Sequence, residues 1–224
     1  MIRNIALCFH GIGAPPAGIP ADERSYWISE NLFASFIADA PSKAKALGVN
    51  LLATFDDGNR SDLDIAAPIL AKYGLSGTFF PCTGRLARRG YLSEDDLRCL
   101  SAMGFQIGSH GVDHVSWTEL NTEELNREIV DSKDELEQIL GAKVQAAAIP
   151  FGHYNRRVLA ALKAAGYTQV YNSDRGFGYV GRWQTRRWTY TSEEKFDLES
   201  LVSMSNSLGR RVILEVKGII KALR

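Results

Sequence analysis

Leu51-Leu52-Ala53-Thr54-Phe55-Asp56-Asp57-Gly58 is an apolar run that ends in two adjacent carboxylates and a glycine. An uninterrupted run of this length suits a strand covered on both faces. Strands of that kind belong to parallel sheets, where sites collect at the strand tips and the loops that follow them. Asp56 and Asp57 stand at such a tip. Adjacent carboxylates repel unless a cation or a shared proton compensates. Asp57-Gly58 equally suits a turn or a helix N-cap.

Outward from this run the pattern repeats. Ile5–Phe9, Gly77–Pro81, Phe105–Gly108, Ala146–Ile149, Gln169–Asn172 and Arg187–Thr191 are further short strand candidates, and helical patterns separate them. Ser93 opens a capping box ahead of Leu97 and Leu100, and Gly104 closes that helix. Asn121 or Thr122 starts the longest helix, with Leu125, Ile129, Leu136 and Ile139 in period and Gly141 at its end. Asn155 starts a helix that runs to Gly166. Ser61 or Asp62 starts one that reaches Gly74 and bends or restarts at Pro68. Ser25–Ala40 and Glu193–Leu208 also read as helical, and Gly11–Pro20 reads as a long loop. The alternation predicts an α/β fold with a mostly parallel sheet or a barrel. No repeat or linker interrupts the chain, so residues 1–224 read as a single domain.

The 224 residues carry 26 basic and 26 acidic side chains. That balance gives no support for nucleic acid as a partner, and Arg85, Arg88 and Arg89 read as a short solvated cluster. The three cysteines, Cys8, Cys82 and Cys99, are too few and too scattered for a disulfide framework or a thiolate zinc site. No apolar run approaches the roughly 20 residues of a membrane-spanning helix. The apolar stretch within Met1–Gly11 is too short for a signal peptide. A reduced, cytoplasmic setting is the expectation. Oligomeric state has no signature here.

A second polar cluster, Ser109-His110-Gly111-Val112-Asp113-His114, follows the strand candidate at 105–108 and holds two of the four histidines. Two imidazoles four residues apart meet one ion if a helical turn begins there; alone, they suit surface or capping positions equally well. With the Asp56-Asp57 pair they supply one carboxylate and two imidazoles, leaving coordination positions open for water and substrate. The remaining carboxylate is then free to act as a base. Pro150-Phe151-Gly152 is either a turn or a loop that presents a backbone N–H to an oxyanion. His10 ends the first strand; its position favours a role that a lone histidine would not otherwise suggest. Arg186 and Arg187 open the last strand, either to orient a carboxylate or as a surface pair. Trp27, Trp117, Trp183 and Trp188 are candidate sugar platforms, although core positions suit most of them.

These residues resemble the polysaccharide deacetylase family, the NodB-homology domain or carbohydrate esterase family 4. Thr54–Gly58 matches its TFDDG motif, Ser109–His114 matches SHxxxH, and Pro150-Phe151-Gly152 is similar to the core of its third motif. The resemblance spans about Ile5 to Thr191. It implies a distorted (β/α) barrel of about seven mostly parallel strands. It implies one divalent metal ion, commonly Zn2+, on Asp57, His110 and His114, with Asp56 as general base. It implies oxyanion binding at Phe151, with Pro150 shaping the loop, and deacetylation of N-acetyl groups on amino sugars in a polysaccharide or oligosaccharide substrate. Two departures stand out. The third-motif arginine is replaced by Ala148, so Arg187 becomes the candidate to orient Asp56. The C-terminal histidine motif is missing, since no histidine follows His153. The first strand then resembles that of a permuted subgroup whose acid histidine is N-terminal, which makes His10 the candidate acid and His153 its rival. The departures also leave open a catalytically impaired carbohydrate-binding protein, and the fold family leaves open an amidohydrolase of small non-sugar amides.

Overall fold

The computed structural model describes residues 2–16, 19, 23–193 and 197–223, without the side chains of residues 208, 210 and 211. The first strand, β1 (Arg3–Phe9), is buried from Asn4 onward. Two short strands, β2 (Gly11–Ile12) and β3 (Trp27–Ile28), pair in parallel beyond its tip. β2 occupies the start of the segment Gly11–Pro20 expected to be loop, part of which lies outside the described residues, and β3 falls in the stretch Ser25–Ala40 expected to be helical. The helix expected over Ser25–Ala40 is α1 (Glu30–Leu47). Ser29, not Ser25, caps it by accepting the Leu32 N–H. Phe33, Ile37, Ala40 and Ala44 carry its buried face across Pro41, and left-handed Gly48 ends it.

β4 (Asn50–Asp57) contains both carboxylates within the strand. A π-helical turn, Asp62–Ala66, leads into α2 (Ala67–Lys72), so Pro68 falls at a helix start where its missing N–H costs little. β5 (Gly77–Pro81), α3 (Glu94–Ala102) and β6 (Gln106–Ile107) follow, with the Ser93 capping box formed. The longest helical stretch is α4 (Thr122–Asn126), a π turn at Arg127–Asp131, and α5 (Ser132–Leu140), capped by Asn121 and Gly141. β7 (Ala146–Ala148), α6 (Arg156–Ala164), β8 (Gln169–Asn172) and β9 (Gly178–Tyr179) precede β10 (Gln184–Thr189), which starts three residues earlier than expected. The helix expected over Glu193–Leu208 is shorter, α7 (Leu198–Asn206), because Asp197 caps it; residues 194–196 lie outside the description. A final helix, α8 (Leu208–Leu223), had not been anticipated.

The sheet order is β6-β5-β4-β1-β10-β8-β7, every neighbouring pair parallel, with β9 antiparallel to β1. The two ends meet at one bridge, where Ser109 N–H donates to Ala146 O and Ala148 N–H donates to Ser109 O, both at 2.9 Å. The result is a nearly closed barrel of seven parallel strands, as the resemblance implied. Large aliphatic and aromatic side chains fill the layer between strands and helices. The barrel interior is narrow: Phe80, Ala146, Ala148 and Tyr171 form a separate small cluster. Glycine is required at Gly108, where a Cβ would lie 2.3 Å from the Phe80 ring. In-phase pairing sets Phe9 beside Phe55, so His10 emerges beside Asp56 at the strand tips. Among the described residues no helix is long and apolar enough to cross a membrane.

Candidate active site

A cavity of about 450 Å³ opens at the C-terminal tips of the strands. It is lined by Asp56 and Asp57 from β4, His10 from beyond β1, His110 and His114 from the loop after β6, and Ile149 and Phe151 from beyond β7. A second cavity of similar size, about 470 Å³, lies between α8 and the β8–β10 side of the barrel. Size does not select between them; the concentration of titratable groups does.

Asp57 Oδ1 lies 3.4 Å from His114 Nε2 and 3.9 Å from His110 Nε2. The ligand atoms of the three residues all fall within 4.8 Å of one another. Ligands held about 2.0–2.2 Å from a tetrahedral ion lie roughly 3.3–3.6 Å apart, so the set suits one such ion. Asp57 Oδ1 is buried and accepts no hydrogen bond within the protein, a costly state that the Arg85 guanidinium, 3.4 Å away, offsets by charge without a hydrogen bond. His110 Nδ1 lies 2.8 Å from the Ala148 carbonyl. A carbonyl only accepts, so Nδ1 donates to it and Nε2 is the ring nitrogen left facing Asp57 and, at 3.7 Å, Asp56. Burial drives the His114 pKa down to about 4, against the pull of Asp57, and keeps that ring neutral near pH 7. Burial opposes ionisation of Asp57, yet the surrounding histidines and Arg85 hold its pKa below the usual carboxylate range.

The two histidines do not meet on a helical turn, as the sequence reading required. Gly111 (φ +83) and His114 (φ +54) fold the segment into a loop instead. Glu128, buried in the π turn between α4 and α5, accepts the N–H groups of Val112 at 2.8 Å and Asp113 at 3.1 Å. A Cβ at Gly111 would lie 2.4 Å from that carboxylate. Asp57, His114 and Phe151 all have positive φ, at 77°, 54° and 57°. Such conformations cost about 1–2 kcal/mol apiece for non-glycine residues and concentrate at sites whose surroundings enforce them.

Asp56 is held from below. Arg187 NH1 donates to Asp56 Oδ1 at 2.6 Å and NH2 donates to Oδ2 at 2.7 Å, a bidentate pair. Both side chains are almost fully buried, and Arg187 NH1 also donates to Thr54 Oγ1. The Cys8 thiol donates to Asp56 Oδ2 at 3.3 Å. Burial pushes the Asp56 pKa up, but Arg187 and then His110 override it and hold the group well below the usual carboxylate range. Arg187 thus orients the Asp56 carboxylate. His10 stands 4.0 Å from Cys8 through Nδ1, and its ring packs on Tyr26. Burial lowers its pKa while Asp57 and Asp56 pull it up. His153 is exposed and faces Ser116, away from the cavity lining.

Phe151 is 55% exposed at the rim, with its ring 4.5 Å from that of His114, and Pro150 opens its turn. Of the four tryptophans only Trp27 lines this cavity; Trp117 and Trp188 are core, and Trp183 lines the second cavity. The sequence reading missed three contributors. Tyr26 lines the cavity beside Trp27. Glu128 betrays itself only as an acid next to the buried Ile129. Arg85 is not a solvated residue: a turn after β5 folds it back to 3.4 Å from Asp57 and 3.7 Å from Glu23.

Fold and cluster together define a parallel barrel with a metal-type ligand set at its strand tips. The polysaccharide deacetylase family profile matches residues 45–170. YxkH of Bacillus subtilis, a protein placed among the polysaccharide deacetylases, is 29% identical over 126 residues, 56% of this chain and 45% of that one. The peptidoglycan-N-acetylglucosamine deacetylase of Bacillus cereus is 28% identical over 133 residues, 59% of this chain and 58% of that one. The chain therefore spans about half the length of these curated relatives. The Streptococcus pyogenes deacetylase PplD, solved with acetate, superposes with a TM-score of 0.78 over 92% of this chain and 99% of its own. At 20% identity that likeness concerns the fold. The chain belongs to the polysaccharide deacetylase family.

Proposed function

We propose that the protein removes N-acetyl groups from amino sugars of a polysaccharide or oligosaccharide, using one divalent ion, Zn2+ in the first instance, on Asp57, His110 and His114. One observation carries the reading: a buried carboxylate oxygen without a donor, and two imidazole nitrogens, converge within 4.8 Å. When bound, such an ion supplies a Lewis acid that polarises an amide carbonyl and brings the pKa of a water toward ~7. Asp56, fixed by Arg187, accepts the proton of the attacking water. The Phe151 N–H donates to the carbonyl oxygen as it gains charge, a contribution of about 3 kcal/mol for one such donor. His10, from the N-terminal strand, protonates the nitrogen as the C–N bond breaks, so the products are acetate and a free amine. Tyr26 and Trp27 offer aromatic faces to a sugar ring.

The test is acetate release across a panel of N-acetylated oligosaccharides and small non-sugar amides, before and after chelation and after zinc is restored. Release from amino-sugar oligomers that chelation abolishes and zinc restores is the expected result. Release indifferent to chelation, or confined to the non-sugar amides, overturns the reading.

A further inference from the structure

α8 turns an aliphatic face to solvent. Val212, Ile213, Val216, Ile219, Ile220 and Leu223 are each between 45% and 75% exposed. Their spacing puts them on one side of the helix. They make up half of the large hydrophobic side chains exposed among the described residues. The opposite side, Leu214, Gly218 and Ala222, is turned inward, and at Gly218 a Cβ would come within 3.5 Å of Arg186 and 3.7 Å of Tyr154. The helix is thus docked on the barrel, with its outward face exposed among the described residues.

The charge of the segment is one-sided in sequence. Residues 208–224 contain Arg210, Arg211, Lys217, Lys221 and Arg224 against a single acid, Glu215. Removing these five basic and one acidic residues from totals of 26 and 26 leaves 21 against 25, so the rest of the chain is net acidic. Glu215 is already paired with Arg186 at 3.1 Å and Lys221 with Asp174 at 2.5 Å, which leaves four basic residues of the five and no acid in the segment outside those pairs. An aliphatic face within a basic segment matches helices that lie in the headgroup region of a bilayer, where nearby lysines and arginines add attraction to anionic lipid. A second copy of the chain fits less well. A 16-residue helix is about 24 Å long, and one stripe of it falls well short of the roughly 800 Å² per partner of a stable interface. Pairing two such helices would also bring like charges together.

We propose that α8 docks the protein on the surface of a bilayer containing anionic phospholipid. The inward side of α8 is tied to the barrel through a polar contact. Lys221, in the last turn of α8, donates to Gly152 O at 3.2 Å and pairs with Asp174 at 2.5 Å, and Gly152 directly follows Phe151. The docking itself is independent of the activity proposed above and is measured without substrate.

The full chain is sedimented with phosphatidylcholine vesicles and with mixed phosphatidylcholine–phosphatidylglycerol vesicles. Binding about tenfold stronger to the anionic vesicles, and weakened by salt, is expected. The Ile213→Glu/Ile220→Glu double variant should bind about tenfold or more weakly while melting like the parent. Lys217→Glu, a change at an exposed position, should weaken anionic binding alone. Absence of sedimentation with anionic vesicles overturns the proposal, as does equal sedimentation of the parent and both variants. A dimer that the double variant dissolves, without vesicle binding by the parent, assigns the face to a second copy and overturns it too.

Discussion

Asp56 and Arg187 are separated by 131 positions in sequence and joined by two short hydrogen bonds. A buried ion pair of this geometry is costly to break from one side, because the remaining charge stays buried and unmatched. Arg187→Ala should therefore destabilise the fold by about 3–5 kcal/mol in denaturant melts. Arg187→Lys should recover only part, since an ammonium lacks the planar fork. Asp56→Asn should keep the ion and lose roughly 10²–10⁴-fold in turnover; turnover at the parent level would put the base elsewhere. His110→Ala should lose most of the zinc and most of the activity, and stoichiometric zinc by elemental analysis would contradict the ligand assignment. At this scale the sequence was readable where chemistry and chain position coincide, as in Thr54–Gly58 and Ser109–His114. Arg187 was legible only by inference from Ala148, a position where a cation was wanted. Arg85 and Tyr26 were not legible, because their proximity to Asp57 and His10 arises from loops that no periodicity encodes.

Elements position these side chains through a few polar contacts. The π turn at Arg127–Asp131 puts Glu128 beneath the histidine loop. Glu128→Ala should cost about 1–3 kcal/mol, the usual penalty for stranding buried donors. It should also weaken zinc affinity although Glu128 is no ligand, which competition with a chelating dye would measure. Glu137, in α5, gathers Lys133, Lys143 and the Val144 N–H, ties the helix to the loop before β7, and has its pKa lowered to about 2. Burial works against that shift, and the cations and the N–H outweigh it. Since the folded value is the lower one, this stabilisation is complete above pH 4.5 and is lost as pH falls toward 2. Glu137→Gln should flatten the melting curve over that window in chelator-treated protein, by about 1 kcal/mol after solvent screening. Strand existence was read well from apolar runs, and helix ends well from Ser93, Asn121 and Gly141. Helix starts went wrong where two hydroxyls competed, as at Ser25 and Ser29. α8 escaped notice because its apolar residues face outward and give no hint of a core.

The sheet couples folding to the ligand set, since Asp57 and the histidines come from opposite sides of β5 and meet only once β4, β5 and β6 have paired. An ion present at about 1,000 times its Kd adds about 4 kcal/mol to the folded state. For a chain of this size that corresponds to roughly 8–16 °C in Tm. Calorimetry of the zinc-loaded protein should show a shift of that order on adding EDTA, and His110→Ala should show none. The sequence carried the architecture this far because seven strand candidates alternated with helices. Strand order and closure were not visible, since β1 pairs with β4 and β10 across long separations. One detail of that closure has a wider reach. The edges β6 and β7 are stitched at Ser109 and Ala147, and the next residues, His110 and Ala148, share the hydrogen bond that aims the imidazole. The seam of the barrel and the aim of a ligand are thus one piece of backbone. Breathing at that seam would release a bound cation before the remainder of the fold gives way, so that such an ion would report whether the cylinder is shut.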